Sequence, residues 1–219
     1  MNTSYQRSDS LVTEMLSRTS PHPMMLKDEI ASRLYQTAAD YPVEGELKTA
    51  TKRAAVLCLL GLDGDGLHLL LTRRADNLRL HAGQVSLPGG KPEPDDEDAA
   101  QTALRESREE IGLSPEDVQI LGYSPPVLTS TRYLVDVCVG MALPTPAQLM
   151  TKLSPCDDEV SDVWFGHAAD LCDLSRFERH QAESDEGRRH YYSITGTDPL
   201  VWGATAAIIR NLVLHLSQR

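Results

Sequence analysis

A chain of 219 residues, 41% hydrophobic and 24% charged, has the length and composition of one globular domain with a short appendage. Its 21 basic and 32 acidic residues give a net charge of -11, which excludes a general nucleic-acid binder, because that task needs a basic field to displace counterions. No apolar run approaches the length of a membrane span, and residues 1–24 lack the apolar core of a signal peptide. Cys58, Cys138, Cys156 and Cys172 form no Cys-x-x-Cys pair, and the seven histidines show no zinc spacing. A reducing cytoplasm and no membrane association are the expectation.

Residues 1–24 are polar and read as a lead-in. Met25 to Ala39 carries Leu26, Ile30, Leu34 and Tyr35 at a helical period, and Tyr41-Pro42 ends it. An N-terminal extension with one helix therefore covers residues 1–46, and the main domain covers 47–219. Ala54–Leu60 and Leu67–Thr72 are apolar runs joined by Asp63-Gly64-Asp65-Gly66, a hairpin signal. The alternating aspartates resemble a calcium loop, but no glutamate stands at its twelfth position. Val85–Leu87 is a short strand leading into Gly89-Gly90. Asp95 or Asp96 can cap the next helix, whose buried stripe is Ala99, Ala100, Ala103, Leu104 and Ile111, with Gly112 as a left-handed C-cap. Strands are expected at Val118–Tyr123, Leu134–Met141, Val160–Phe165 and His190–Ile194. Helices are expected at Ala168–Leu174 and Thr205–Leu216. The mixture is α/β, and there is no internal repeat.

The chemistry is concentrated in Arg105-Glu106-Ser107-Arg108-Glu109-Glu110. On a helix of about 3.6 residues per turn, Glu106, Glu109 and Glu110 share one side. Ionised carboxylates that close repel one another, and a divalent cation relieves the repulsion. Hard oxygen ligands suit Mg2+ or Mn2+, which leads to metal-assisted chemistry on a phosphate-containing substrate. Glu106 and Glu110 stand at i and i+4 and can share an ion. Glu109 can hold a second ion or take a proton from water, and Arg105 can brace Glu109. The competing reading is a solvated helix face laced with ion pairs. A P-loop around Gly89-Gly90-Lys91 fails, because Pro92 stands where Ser or Thr is required.

Gly90 followed by Arg105-Glu106-x-x-Glu109-Glu110-x-Gly112-Leu113 resembles the Nudix box. Two departures stand out. Fourteen residues (Lys91 to Leu104) separate the glycine from the arginine where the usual box has thirteen, and Ser107 replaces an apolar residue. Asp96 or Glu97 then takes the box's first acidic position. Upstream, Leu70-Leu71-Thr72-x-Arg74-Ala75-x-x-x-Arg79-x-x-x-Gly83-x-x-x-Leu87-Pro88-Gly89-Gly90 resembles the motif of the coenzyme A pyrophosphatase branch, with Leu87 for its usual phenylalanine. That branch also tolerates the longer box, and Trp202-Gly203-Ala204-Thr205-Ala206 is similar to its closing helix.

The resemblance implies a Nudix α/β/α sandwich with a mixed sheet. It implies an enzyme that hydrolyses the pyrophosphate of coenzyme A or acyl-CoA to 3',5'-ADP and (acyl-)4'-phosphopantetheine, using Mg2+ or Mn2+. Glu106 and Glu110 would be the primary metal ligands, and Glu109 a further ligand or base. Arg105 would support them, and Glu159 is the candidate for an acidic residue from a later loop. Arg74, Arg79, Gly83, Gly89 and Gly90 would meet the substrate, with Arg74 or Arg79 alternatively bracing the loop. His81, Gln84 and Ser86 lie between the fixed motif positions. Trp164 and Trp202 are read as core, with adenine stacking as the alternative. Homodimers are common among the enzymes it resembles. Two rivals stay open: a Nudix diphosphatase for ADP-ribose, a dinucleotide or a nucleoside triphosphate, and an inactive Nudix-fold binding module.

Overall fold

The structure, a computed structural model, describes residues 23–184 and 187–218; the lead-in over residues 1–22 lies outside them. Among the described residues the first helix, α1 (Pro23–Arg33), is shorter than its periodicity predicts. Its continuation is diverted because Tyr35 pairs with Tyr123 through both backbone groups, at 3.0 and 2.8 Å. Strands β1 (Lys52–Asp63) and β2 (Gly66–Arg74) form the expected hairpin, closing on the Asp63–Gly66 pair. Two-residue strands β3 (Val85–Ser86) and β4 (Gly89–Gly90) follow, then helix α2 (Ala99–Ile111). Strands β5 (Val118–Leu128) and β6 (Tyr133–Ala142) lead to the short helix α3 (Pro146–Met150). Strand β7 (Val160–His167) runs into α4 (Ala168–Leu171). The chain finishes with β8 (Phe177–Ser184), β9 (Gly187–Ile194), β10 (Val201–Trp202) and α5 (Gly203–Gln218).

The main sheet has the order β3-β2-β1-β6-β5, with β4 added to β1 and β7 to β2. β1 and β6 run parallel from Lys52–Tyr133 to Leu60–Met141, and the other pairs are antiparallel, so the sheet is mixed as expected. Alternate residues of β1 supply two cores, as the pleat requires. Leu57 and Leu59 meet Ala100, Ala103 and Ile111 of α2 on one face. Cys58 and Leu60 join the cluster on the other face that holds Leu26, Ile30, Ile208, Ile209 and Leu212 of α1 and α5. Helices thus cover both faces of the sheet, giving the α/β/α sandwich.

Two local expectations change. Strands β8 and β10 join β9 in a second, three-stranded sheet where only one strand was read from the sequence. Trp202, read as core, is 39% exposed on that sheet and meets Tyr191 edge-on. Trp164 does pack against the core. Among the described residues, no helix is long and apolar enough to cross a membrane. All four cysteines are free thiols.

Candidate active site

Helix α2 is pinned at both ends. The Asp98 carboxylate accepts from the Gln101 N–H at 2.8 Å, so the N-cap is Asp98 and not Asp95 or Asp96. Gly112, at φ 70°, donates to the Arg108 carbonyl and closes the last turn. Ser107, the departure from an apolar residue, is fully buried, and its hydroxyl donates to the Ala103 carbonyl four residues back at 2.6 Å. That local bond satisfies the polar group and lets Ser107 occupy a core-facing position.

The residues that precede the helix come back to its outer face. Arg105 donates to Asp96 through Nε and Nη2, both at 3.1 Å, and to the Lys91 carbonyl at 2.8 Å. It also reaches Glu106 at 3.3 Å and Glu109 at 3.1 Å. Asp96 further accepts from the Thr102 hydroxyl at 2.9 Å. The paired guanidinium holds the Asp96 carboxyl down at about 2, and Asp96 in turn raises Arg105. Of the two residues that could take the box's first acidic position, Asp96 makes this bond. The carboxylate–guanidinium fork clamps the long loop Lys91–Asp98 against the helix that carries the glutamates.

Gly89 and Gly90 form the floor. The Gly89 N–H donates to Glu110 Oε2 at 3.0 Å. Gly89 has φ 148°, and a Cβ there would overlap the backbone of Ala55 and Val56. A Cβ on Gly90 would overlap the Glu106 carboxylate itself. Only glycine leaves space for both carboxylates to lie against this strand.

Burial is the largest influence on both inner glutamates and pushes their carboxyls up. For Glu110, only 6% exposed, the result is about 7; the Gly89 N–H and Arg74 oppose the rise, while Glu106 and Glu159 add to it. For Glu106, Arg105 opposes the rise, and Glu109 and Glu159 add to it. Glu109 is the most exposed of the three side chains.

Glu159 belongs to the same neighbourhood. The Cys156 N–H donates to the Glu110 carbonyl at 2.8 Å, and the Glu159 carbonyl accepts from Ala75 at 2.9 Å, which ties this loop to α2 and to β2. Arg74 sits at the end of β2 with its backbone held by Gln84 and Gly83 at 3.0 and 3.1 Å. Its Nε is buried and has no hydrogen-bond partner among the described residues. Arg79 is exposed in the loop that follows. Within that loop His81 and Gln84 bond each other at 2.9 Å, and Ser86 faces the Thr72 hydroxyl at 2.9 Å.

The donor set is therefore a group of crowded carboxylates, with two arginines that offset only part of their charge. That is oxygen-only coordination chemistry suited to a hard dication, and the cavity over Gly90 is filled by the Glu106 carboxylate. Among the described residues, no three ligand side chains already converge on one point. Glu110 is drawn to the Gly89 amide and Glu109 to Arg105, so binding an ion requires these carboxylates to turn. Sequence reasoning left Asp96 and Glu97 equivalent and missed the Lys91 carbonyl. Its contact with Arg105 depends on the backbone path of the loop and leaves no signal in residue types.

The sequence profile of the NUDIX domain matches residues 51–184. An uncharacterized Nudix hydrolase NudL of Pectobacterium atrosepticum is 38% identical over 151 residues, covering 69% of this chain and 76% of that protein. Its counterpart in Yersinia pestis is 36% identical over 169 residues, covering 77% and 82%. Among solved structures, a Nudix hydrolase from Alicyclobacillus acidocaldarius is similar over 76% of this chain and 92% of its own, at 20% identity and a TM-score of 0.46. The matched span takes in β1 to β8, with the glutamate helix and its glycine floor inside it, and the chain belongs to the Nudix hydrolase family.

Proposed function

We propose that this Nudix hydrolase cleaves the pyrophosphate bond of coenzyme A or an acyl-CoA, releasing 3',5'-ADP and the (acyl-)4'-phosphopantetheine. The observation that carries the reading is the joining of two sequence segments at one site. The Arg74–Gly90 segment supplies the floor against which Glu106 and Glu110 of α2 lie. Divalent ions such as Mg2+ or Mn2+, which Nudix hydrolases generally use, neutralise diphosphate charge and acidify bound water.

In this reading Glu106 and Glu110 hold the ions. Glu109, exposed beside Arg105, accepts the proton of the attacking water. Glu159 adds a further carboxylate from the opposite loop. Arg105 is saturated by Asp96, Lys91, Glu106 and Glu109, so its part is positioning and not contact with substrate. Arg74, with its unpartnered buried Nε, and the exposed Arg79 meet the phosphates, which guanidinium groups bind in a bidentate manner. Gly83 lets the loop fold back onto Arg74, while Gly89 and Gly90 keep the floor open. The free thiols accord with a cytoplasmic enzyme.

The test is incubation of the purified protein with coenzyme A, acetyl-CoA, ADP-ribose and a dinucleoside polyphosphate in Mn2+ or Mg2+. Chromatography should show 3',5'-ADP from the coenzyme A species at the highest kcat/KM. An unchanged coenzyme A peak beside turnover of ADP-ribose would overturn the substrate assignment and leave the hydrolase intact.

A further inference from the structure

His68 and His167 are neighbours across β2 and β7, at the opposite end of that strand pair from Arg74 and Val160. Arg74 stands six positions along β2 from His68, about 20 Å of extended chain, so the pair is not part of the glutamate site. Their imidazoles have centroids 4.4 Å apart and planes tilted by 41°. His68 is buried, and its Nε2 lies 2.9 Å from Asp63 Oδ1. His167 is exposed and stands at the N-cap of α4, where its side chain makes no capping bond.

Asp63 settles which nitrogen of His68 carries the hydrogen. The same Asp63 Oδ1 also accepts from the Asp65 N–H at 2.8 Å, so this oxygen serves as an acceptor in the turn. An ionised carboxylate only accepts, so Nε2 of His68 is the donor, and in the neutral ring Nδ1 keeps its lone pair. A carboxylate that orients an imidazole in this way is the usual companion of a metal-ligating histidine. Among the described residues, nothing hydrogen-bonds to Nδ1 of His68 or to either ring nitrogen of His167.

We propose that His68 and His167 form a second metal site, a two-imidazole chelate for a borderline transition-metal dication such as Zn2+, with Asp63 orienting His68. Two ligands on a tetrahedral zinc, each at about 2.0–2.1 Å, lie about 3.3 Å apart, so binding turns the two neighbouring rings to bring one nitrogen of each to that spacing. No group of three ligand side chains is gathered here, so water completes the coordination. Imidazole nitrogen selects Zn2+, Ni2+ or Cu2+ over Mg2+, whereas the glutamate site is all oxygen, so the two sites divide the metals between them. The inference does not depend on the identity of the substrate.

Calorimetric titration of the full chain with Zn2+, in a large excess of Mg2+, tests it. Wild-type protein should bind Zn2+ at a site that persists in Glu110→Gln and is lost in His167→Ala, an exposed position where the substitution leaves folding and Mg2+-dependent hydrolysis unchanged. Asp63→Asn should weaken that binding roughly tenfold or more. Equal isotherms for wild type and His167→Ala would overturn the proposal, as would loss of the same binding in Glu110→Gln.

Discussion

Replacing Glu110 by glutamine keeps the length of the side chain and an acceptor for the Gly89 amide while removing the charge. The consequence for stability follows from burial. The folded-state carboxyl titrates at about 7 against an ordinary value of 4.5, so the folded protein holds this proton more tightly than the unfolded chain. Below the unfolded value both states are protonated, and the contribution is fully present. It is lost as pH rises through the folded value, because the unfolded chain ionises first. At 1.36 kcal/mol per pH unit, the rise amounts to about 3 kcal/mol. In a chelator, wild-type protein should therefore lose about 3 kcal/mol between pH 4.5 and 7.5, and Glu110→Gln should not. At pH 8 the variant should be the more stable of the two by about that amount, or about 6–12 °C in Tm for a domain of this size. Added Mg2+ should restore most of the wild-type loss and do less for the variant. Urea unfolding followed by circular dichroism across this pH range, with and without EDTA, measures both effects. Parallel pH profiles for the two proteins, or a variant less stable than wild type at pH 8, would refute the argument from burial.

Other perturbations separate stability from chemistry. Glu109→Gln should lower kcat by about 10²–10⁴-fold, the range for a general base, while this exposed position shifts Tm very little. Gly90→Ala pushes first against the far end of the Glu106 side chain, so its Tm should stay close to wild type while kcat/KM falls about tenfold or more. Gly89→Ala meets backbone at a positive φ and should cost about 2–4 kcal/mol in chemical denaturation. Asp96→Ala leaves the partly buried Arg105 without its bidentate partner; expected are a loss of about 1–3 kcal/mol and reduced turnover, whereas wild-type kinetics would show that the clamp is dispensable.

What the sequence conveyed and what it hid divide along physical lines. Strands β1, β2 and β6 are continuous apolar runs because both of their faces are covered, and such runs read directly. Helix α2 announced itself through its alanine stripe and Gly112. β8 did not, because Glu178, Arg179, His180 and Gln181 face largely outward and only Phe177 packs on the core. Its strand character comes from pairing with β9, a long-range property. The site was legible where spacing carries meaning: Glu106, Glu109 and Glu110 on one side, with Gly90 beneath. The clamp on Arg105 was only half legible, since the choice between Asp96 and Glu97 depends on where the helix begins. Asp98 takes the cap and leaves Asp96 free to turn inward.

The Arg33 guanidinium reaches across to the Leu216 carbonyl, and α1 buries Leu26 and Ile30, with Leu34 just after it, in the cluster that includes Leu212 and Leu216. Helix α1 thus finds part of its seat in α5, which follows 183 residues later. At ribosomal rates of about 5–20 residues per second, that interval lasts about 10–40 s. Throughout it the apolar side of α1 lacks this cover, and that surface stays open to chaperones until α5 emerges.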